Sequence, residues 1–95
     1  MFIVLLKFSE NKAKAAEFMS GHNDWLGRGF SDGVFLLAGS LKPSLGGGIL
    51  AYNTTRAELE RRVNEDPFVT QGIVEPDILE ITPSRAGDQL GFLLG

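Results

Sequence analysis

No cysteine occurs among the 95 residues. That excludes disulfides, thiolate metal ligands and a cysteine nucleophile, and fits a reducing cytoplasm as the expected compartment. Histidine occurs once, and the carboxylates form no tight cluster. Too few ligands remain for a metal site, and none is expected. Positive charge is also in short supply: nine Lys and Arg stand against twelve Asp and Glu, for a net charge of -3. Nucleic acid, which calls for a basic face, is not an expected partner. The Arg61-Arg62 pair reads as a solvated helix face. No apolar run is long enough to cross a bilayer, so no membrane partner is expected. The opening Met1 to Lys7 lacks a basic leader and a small-residue cleavage site, and reads as a first strand. There is no internal repeat and no low-complexity segment.

What is present is the mixture of a folded domain, 43% hydrophobic and 22% charged. One domain of this length lies near the lower limit for burying a core. Covering a sheet face with a second copy would add much to it, so a homodimer is expected.

Phe2 to Phe8 is a run of large and β-branched apolar residues, short enough for a strand and apolar enough for a central one. Ser9 or Asn11 can cap a helix beginning at about Lys12. Ala15, Phe18, Met19, His22, Trp25, Leu26 and Phe30 recur every three or four residues and form its stripe. Gly27 and Gly29 weaken the end of this helix, and Ser31-Asp32-Gly33 closes it. Val34 to Leu41 and Gly48 to Tyr52 read as an antiparallel pair joined by a turn over Lys42 to Gly48, with the Gly46-Gly47-Gly48 run as hairpin rather than phosphate cradle. Thr55 and Glu58 form a capping box for a second helix that buries Leu59 and Val63 and stops at Asp66-Pro67. Ile73 to Thr82 is the last strand, with Pro76 near its start. The order βαββαβ predicts an α+β, ferredoxin-like fold: a four-stranded antiparallel sheet with two helices on one face. The bare face is expected to meet another subunit, giving a dimeric αβ-barrel. Residues 1–83 make the domain, and residues 84–95 a tail whose apolar end, Leu90 to Leu94, is expected to pack on the partner.

His22 lies on the apolar stripe of the first helix, where its imidazole must find a hydrogen-bond partner. A backbone carbonyl would satisfy it structurally. A carboxylate would orient the ring for chemistry, with Asp24, Asp32 and Asp66 as candidates. Asp24 is two residues away and faces elsewhere, Asp32 sits at the helix end, and Asp66 follows the second helix on the same sheet face. Asp before Pro is also an ordinary turn residue. Ser40, near the end of the second strand, can offer a hydroxyl to a ligand.

Several segments together resemble the YciI-like (YCII-related) family of small proteins with a dimeric ferredoxin-like fold. They are His22 with Trp25-Leu26, Val34 to Ser40, Gly48 to Tyr52, Glu65-Asp66-Pro67-Phe68-Val69-Thr70-Gln71-Gly72 and Ile78 to Pro83. The resemblance implies a His-Asp active-site pair at His22 and Asp66, in a cleft between helix and sheet. One relative in that family eliminates chloride from a chlorinated hydroxyquinol. The chemistry so implied is general acid–base catalysis on a small cyclic or carbonyl-bearing substrate, with no cofactor. Trp25, Phe68 and Ser40 are expected to line the pocket. Two other readings share the fold: a non-catalytic dimeric module binding a metabolite or partner protein, and cofactor-free oxygenation.

Overall fold

The computed structural model describes residues 1–94. Strands β1 (Phe2–Phe8), β2 (Phe35–Leu41), β3 (Gly46–Ala51) and β4 (Val74–Glu80) form one sheet in the order β2-β3-β1-β4. Every neighbouring pair is antiparallel. Helix α1 (Ala15–Ser31) joins β1 to β2; α2 (Arg56–Val63) and a single turn, α3 (Pro67–Thr70), join β3 to β4. This is the ferredoxin-like α+β architecture, with β1 central and the helices on one face.

The pleat sorts the sheet residues. Phe2, Val4 and Leu6 of β1, Ile49 and Ala51 of β3 and Val74 of β4 face the helices and are buried, packed with Trp25, Leu59, Val63 and Phe68. On the other face the register lays Leu37, Leu50, Ile3 and Leu79 in one row across all four strands. Leu37 keeps 56% and Leu79 46% of its surface exposed.

Besides the unexpected turn α3, three local structures differ from the sequence expectation. A 3-10 turn at Lys12–Lys14 precedes α1, which begins at Ala15 and runs past both glycines to Ser31. The Gly33 N–H donates to the Phe30 carbonyl and the Val34 N–H to that of Gly29, a Schellman closure with Gly33 at φ 73°. Gly29 is tolerated because the Phe35 ring lies on its bare Cα, beside Trp25 and Phe30. The Gly46-Gly47-Gly48 run is strand, not turn: the chain reverses through Pro43 and Ser44, with Ser44 in the left-handed region at φ 55°, and the three glycines pair with β1. In the helix cap, Thr55 Oγ1 accepts the Glu58 N–H as expected, whereas the Glu58 carboxylate accepts the Thr54 hydroxyl.

Pro76 lies third in β4, which is an edge strand and tolerates the missing N–H. The tail turns back as a 3-10 segment, Asp88–Leu94, and sets Phe92 edge-on against Tyr52 at 5.3 Å. Gly95 lies outside the described residues. Among the described residues, no helix is long and apolar enough to cross a membrane.

A methyl group at residue 29 would overlap the Phe35 ring. Gly29→Ala is expected to destabilise the fold by about 1–3 kcal/mol, the usual cost of overpacking. A urea denaturation curve checks this, and Gly27→Ala, where an added Cβ meets nothing within 4 Å, is the control expected to show no loss.

Candidate active site

The site is built where α1 passes α3. After α2 the chain turns back, and the Asp66 N–H donates to the Val63 carbonyl. Pro67 forces Asp66 into an extended conformation (φ -63°, ψ 125°) and opens α3 at its first helical position. Oδ1 of Asp66 accepts the Phe68 N–H at 3.0 Å, the N-cap bond of that turn.

The same Oδ1 lies 2.8 Å from Nδ1 of His22 on α1. A carboxylate can only accept, so the ring carries its proton on Nδ1 and donates it. Phe68, two residues beyond Asp66, lays its ring parallel to the imidazole at 4.0 Å and 4°. Trp25 stands behind at 5.8 Å. The helices can come this close partly because of Gly21: a Cβ there would sit 3.2 Å from Pro67 Cγ, a tight contact. One tripeptide, Asp66-Pro67-Phe68, thus supplies the tether and the stacking face that hold the ring.

Asp66 is completely buried, and its Oδ2 has no hydrogen-bond partner among the described residues. A buried carboxylate with an unmatched oxygen is costly. It is therefore a poor choice as a mere cap, a job that Ser or Asn performs as well.

His22 lines a cavity of about 320 Å³ between α1 and the sheet. Met19, His22, Asn23 and Leu26 line it from α1, Phe68 from α3, and the segments Ala38–Ser40 and Gly46–Ile49 from the sheet, Gly39 and Gly48 with backbone alone. At about 100° per residue, positions 19, 22, 23 and 26 fall within one narrow arc of the helix. Ser40 and Asn23 are exposed where the cavity opens. With Nδ1 committed to Asp66, Nε2 is the nitrogen left for an occupant.

Of the residues singled out from sequence, His22, Ser40 and Phe68 line the cavity, and Asp66 lies behind the imidazole. Trp25 does not line it. It sits outside the arc, is buried in the core, and donates its indole N–H to the Arg62 carbonyl at 2.9 Å. The other carboxylates are placed elsewhere: Asp32 accepts from the Arg62 guanidinium at 2.8 Å, and Asp24 faces solvent. Asn23 and Gly47 were not anticipated as lining residues. The i, i+4 relation of Asn23 to Met19 is the signal that would have found the first.

No family model and no curated protein sequence matches the chain. Among solved structures, the fold is similar to that of 5-chloro-2-hydroxyhydroquinone dehydrochlorinase (TftG) from Burkholderia phenoliruptrix AC1100, determined in complex with 2,5-dihydroxybenzoquinone. The TM-score is 0.70 over 94% of this chain and 98% of that one, at 13% sequence identity.

Asp66→Ala removes both the cap and the acceptor for His22. It is expected to cost about 1–3 kcal/mol of stability by urea denaturation. Nitrogen-15 spectra of the single histidine at alkaline pH are expected to show the Nδ1–H tautomer in the wild type and a shift toward Nε2–H in the variant.

Proposed function

We propose that this protein is a YciI-like, cofactor-independent enzyme in which His22, held by Asp66, performs general acid–base chemistry on a small cyclic or carbonyl-bearing substrate. The observation that carries the reading is the hydrogen bond from His22 Nδ1 to a fully buried carboxylate. It orients the ring as a base with Nε2 free, as the carboxylate does in hydrolase triads. The cavity alongside is of a size to hold a small molecule.

In this reading Nε2 takes a proton from an acidic C–H or O–H of the substrate, and Asp66 stabilises the imidazolium that forms. In an elimination the C–H electron pair becomes the new double bond, and the leaving group departs with its own pair. The imidazolium then returns its proton to solvent. In an isomerisation it returns the proton to another carbon of the substrate. The likeness of fold to a dehydrochlorinase supports the first course.

The working unit is proposed to be a homodimer joined through the open sheet face. The row Leu37, Leu50, Ile3 and Leu79 offers the apolar surface for this, and the exposed Leu90, Phe92 and Leu94 of the tail extend it onto the partner.

A panel of enolisable cyclic ketones and chlorinated quinols, followed by NMR in D2O for deuterium uptake and by chloride release, tests the chemistry. The wild type is expected to accelerate at least one reaction, and His22→Gln to lower kcat/KM by about 10²–10⁴-fold. Equal rates in the two proteins would remove His22 from the mechanism. For the assembly, sedimentation is expected to give a dimer for the wild type and a monomer for Leu37→Asp, with helix content unchanged.

A further inference from the structure

The three consecutive glycines of β3 have different physical reasons. Gly46 has φ 134°, and a Cβ there would overlap the Leu6 carbonyl oxygen, so the backbone itself demands glycine. Gly48 lies on the open face, where a Cβ would press at 3.2 Å on the flexible end of Leu41. Gly47 has neither constraint. Its φ lies outside the left-handed region, and a Cβ would meet only the Gly39 carbonyl oxygen, at an ordinary 3.5 Å. The fold has room for a side chain there, although glycine weakens a strand.

The register places Gly47 between Leu6 of β1 and Ser40 of β2, both of which line the cavity. A side chain at 47 would therefore rise into the cavity that His22 faces. Glycine inside a strand, where the backbone does not need it, marks a close approach by another group. Among the described residues, the cavity's polar side chains are His22, Asn23 and Ser40, and no Lys, Arg, Asp or Glu lines it. An ionic substituent would meet no fixed counter-charge on the lining and would lose its hydration.

We infer that Gly47 is a specificity-determining residue: its bare peptide is the floor on which a flat, uncharged ring lies, with an edge toward His22. This rests on the cavity being the substrate site, as proposed above. The ring's face meets the sheet backbone, and its polar substituents reach the three polar side chains. A residue with any side chain at 47 lifts the ring off the floor or excludes it.

Saturation-transfer NMR titrations with phenol, cyclohexanol and 4-hydroxybenzoate test this on the wild type, Gly47→Ala, Gly47→Val and His22→Gln. Phenol is expected to bind the wild type at millimolar concentration, at least fivefold more tightly than the puckered cyclohexanol and tenfold more tightly than the carboxylated ring. Gly47→Ala is expected to weaken phenol at least fivefold and Gly47→Val to abolish its binding, while the thermal midpoint of Gly47→Ala stays level or rises. Unchanged phenol affinity in Gly47→Ala overturns the assignment, as does equal binding of 4-hydroxybenzoate or cyclohexanol, or no phenol binding to the wild type. His22→Gln separates this from the catalytic reading. If it binds phenol but turns substrates over as fast as the wild type, the acid–base role fails and the floor stands. If Gly47→Ala binds normally while His22→Gln is inactive, the reverse holds.

Discussion

Asp66 is the one charged residue that is buried among the described residues, and a carboxylate with no exposed surface must be compensated by what surrounds it. Its compensation comes from two sides. The Phe68 amide is fixed by Pro67, and the His22 ring is fixed by α1. The cap bond is local to α3, but the His22 bond needs the two helices to meet, and they come close partly because residue 21, before His22, is glycine facing Pro67, the residue after Asp66. The pair is thus a product of helix packing, and the packing in turn orients the ring. Arg62 performs a parallel service one turn away: its carbonyl accepts from Trp25 and its guanidinium holds Asp32, so α1 is joined to α2 at two points beyond the site.

The sheet divides the labour between its faces. The helix side carries the core at one end and, at the other, a cavity whose sheet wall is largely glycine and small side chains. The opposite side is apolar in one row and charged beyond it, where Lys7 pairs in register with Glu75. Helix α1 shows the same division along its length. Trp25 and Gly29 are buried in the core, while the arc of Met19, His22, Asn23 and Leu26 is given to the cavity.

Order and type of the main elements were legible because their signals are local and mutually consistent: a continuous apolar β1, a stripe with a period of three and four in α1, a Thr cap before α2. The His22–Asp66 contact was only narrowed by sequence. It spans 44 residues, and nothing local separates a capping Asp before Pro from one that also binds a ring. The Gly46-Gly47-Gly48 run was misplaced because glycine signals both a turn and a bare strand. Pro43 and Ser44, which make the actual reversal, lie before it with only Leu45 between. Trp25, named as a pocket residue with the family resemblance, is turned into the core by the 100° step of the helix. The short α3 escaped notice, since a proline that ends one helix is also well suited to begin the next.

Pro76, Asp77 and Glu75 sit together on β4, an outer margin of the sheet. A proline without an N–H and two acidic neighbours make that margin unreceptive to an added strand. The sheet is therefore protected against growth into longer ribbons from the β4 side, even though its flat face is greasy. In the proposed homodimer, copies stack through the flat face and the pair closes, while the β4 border resists open-ended strand addition.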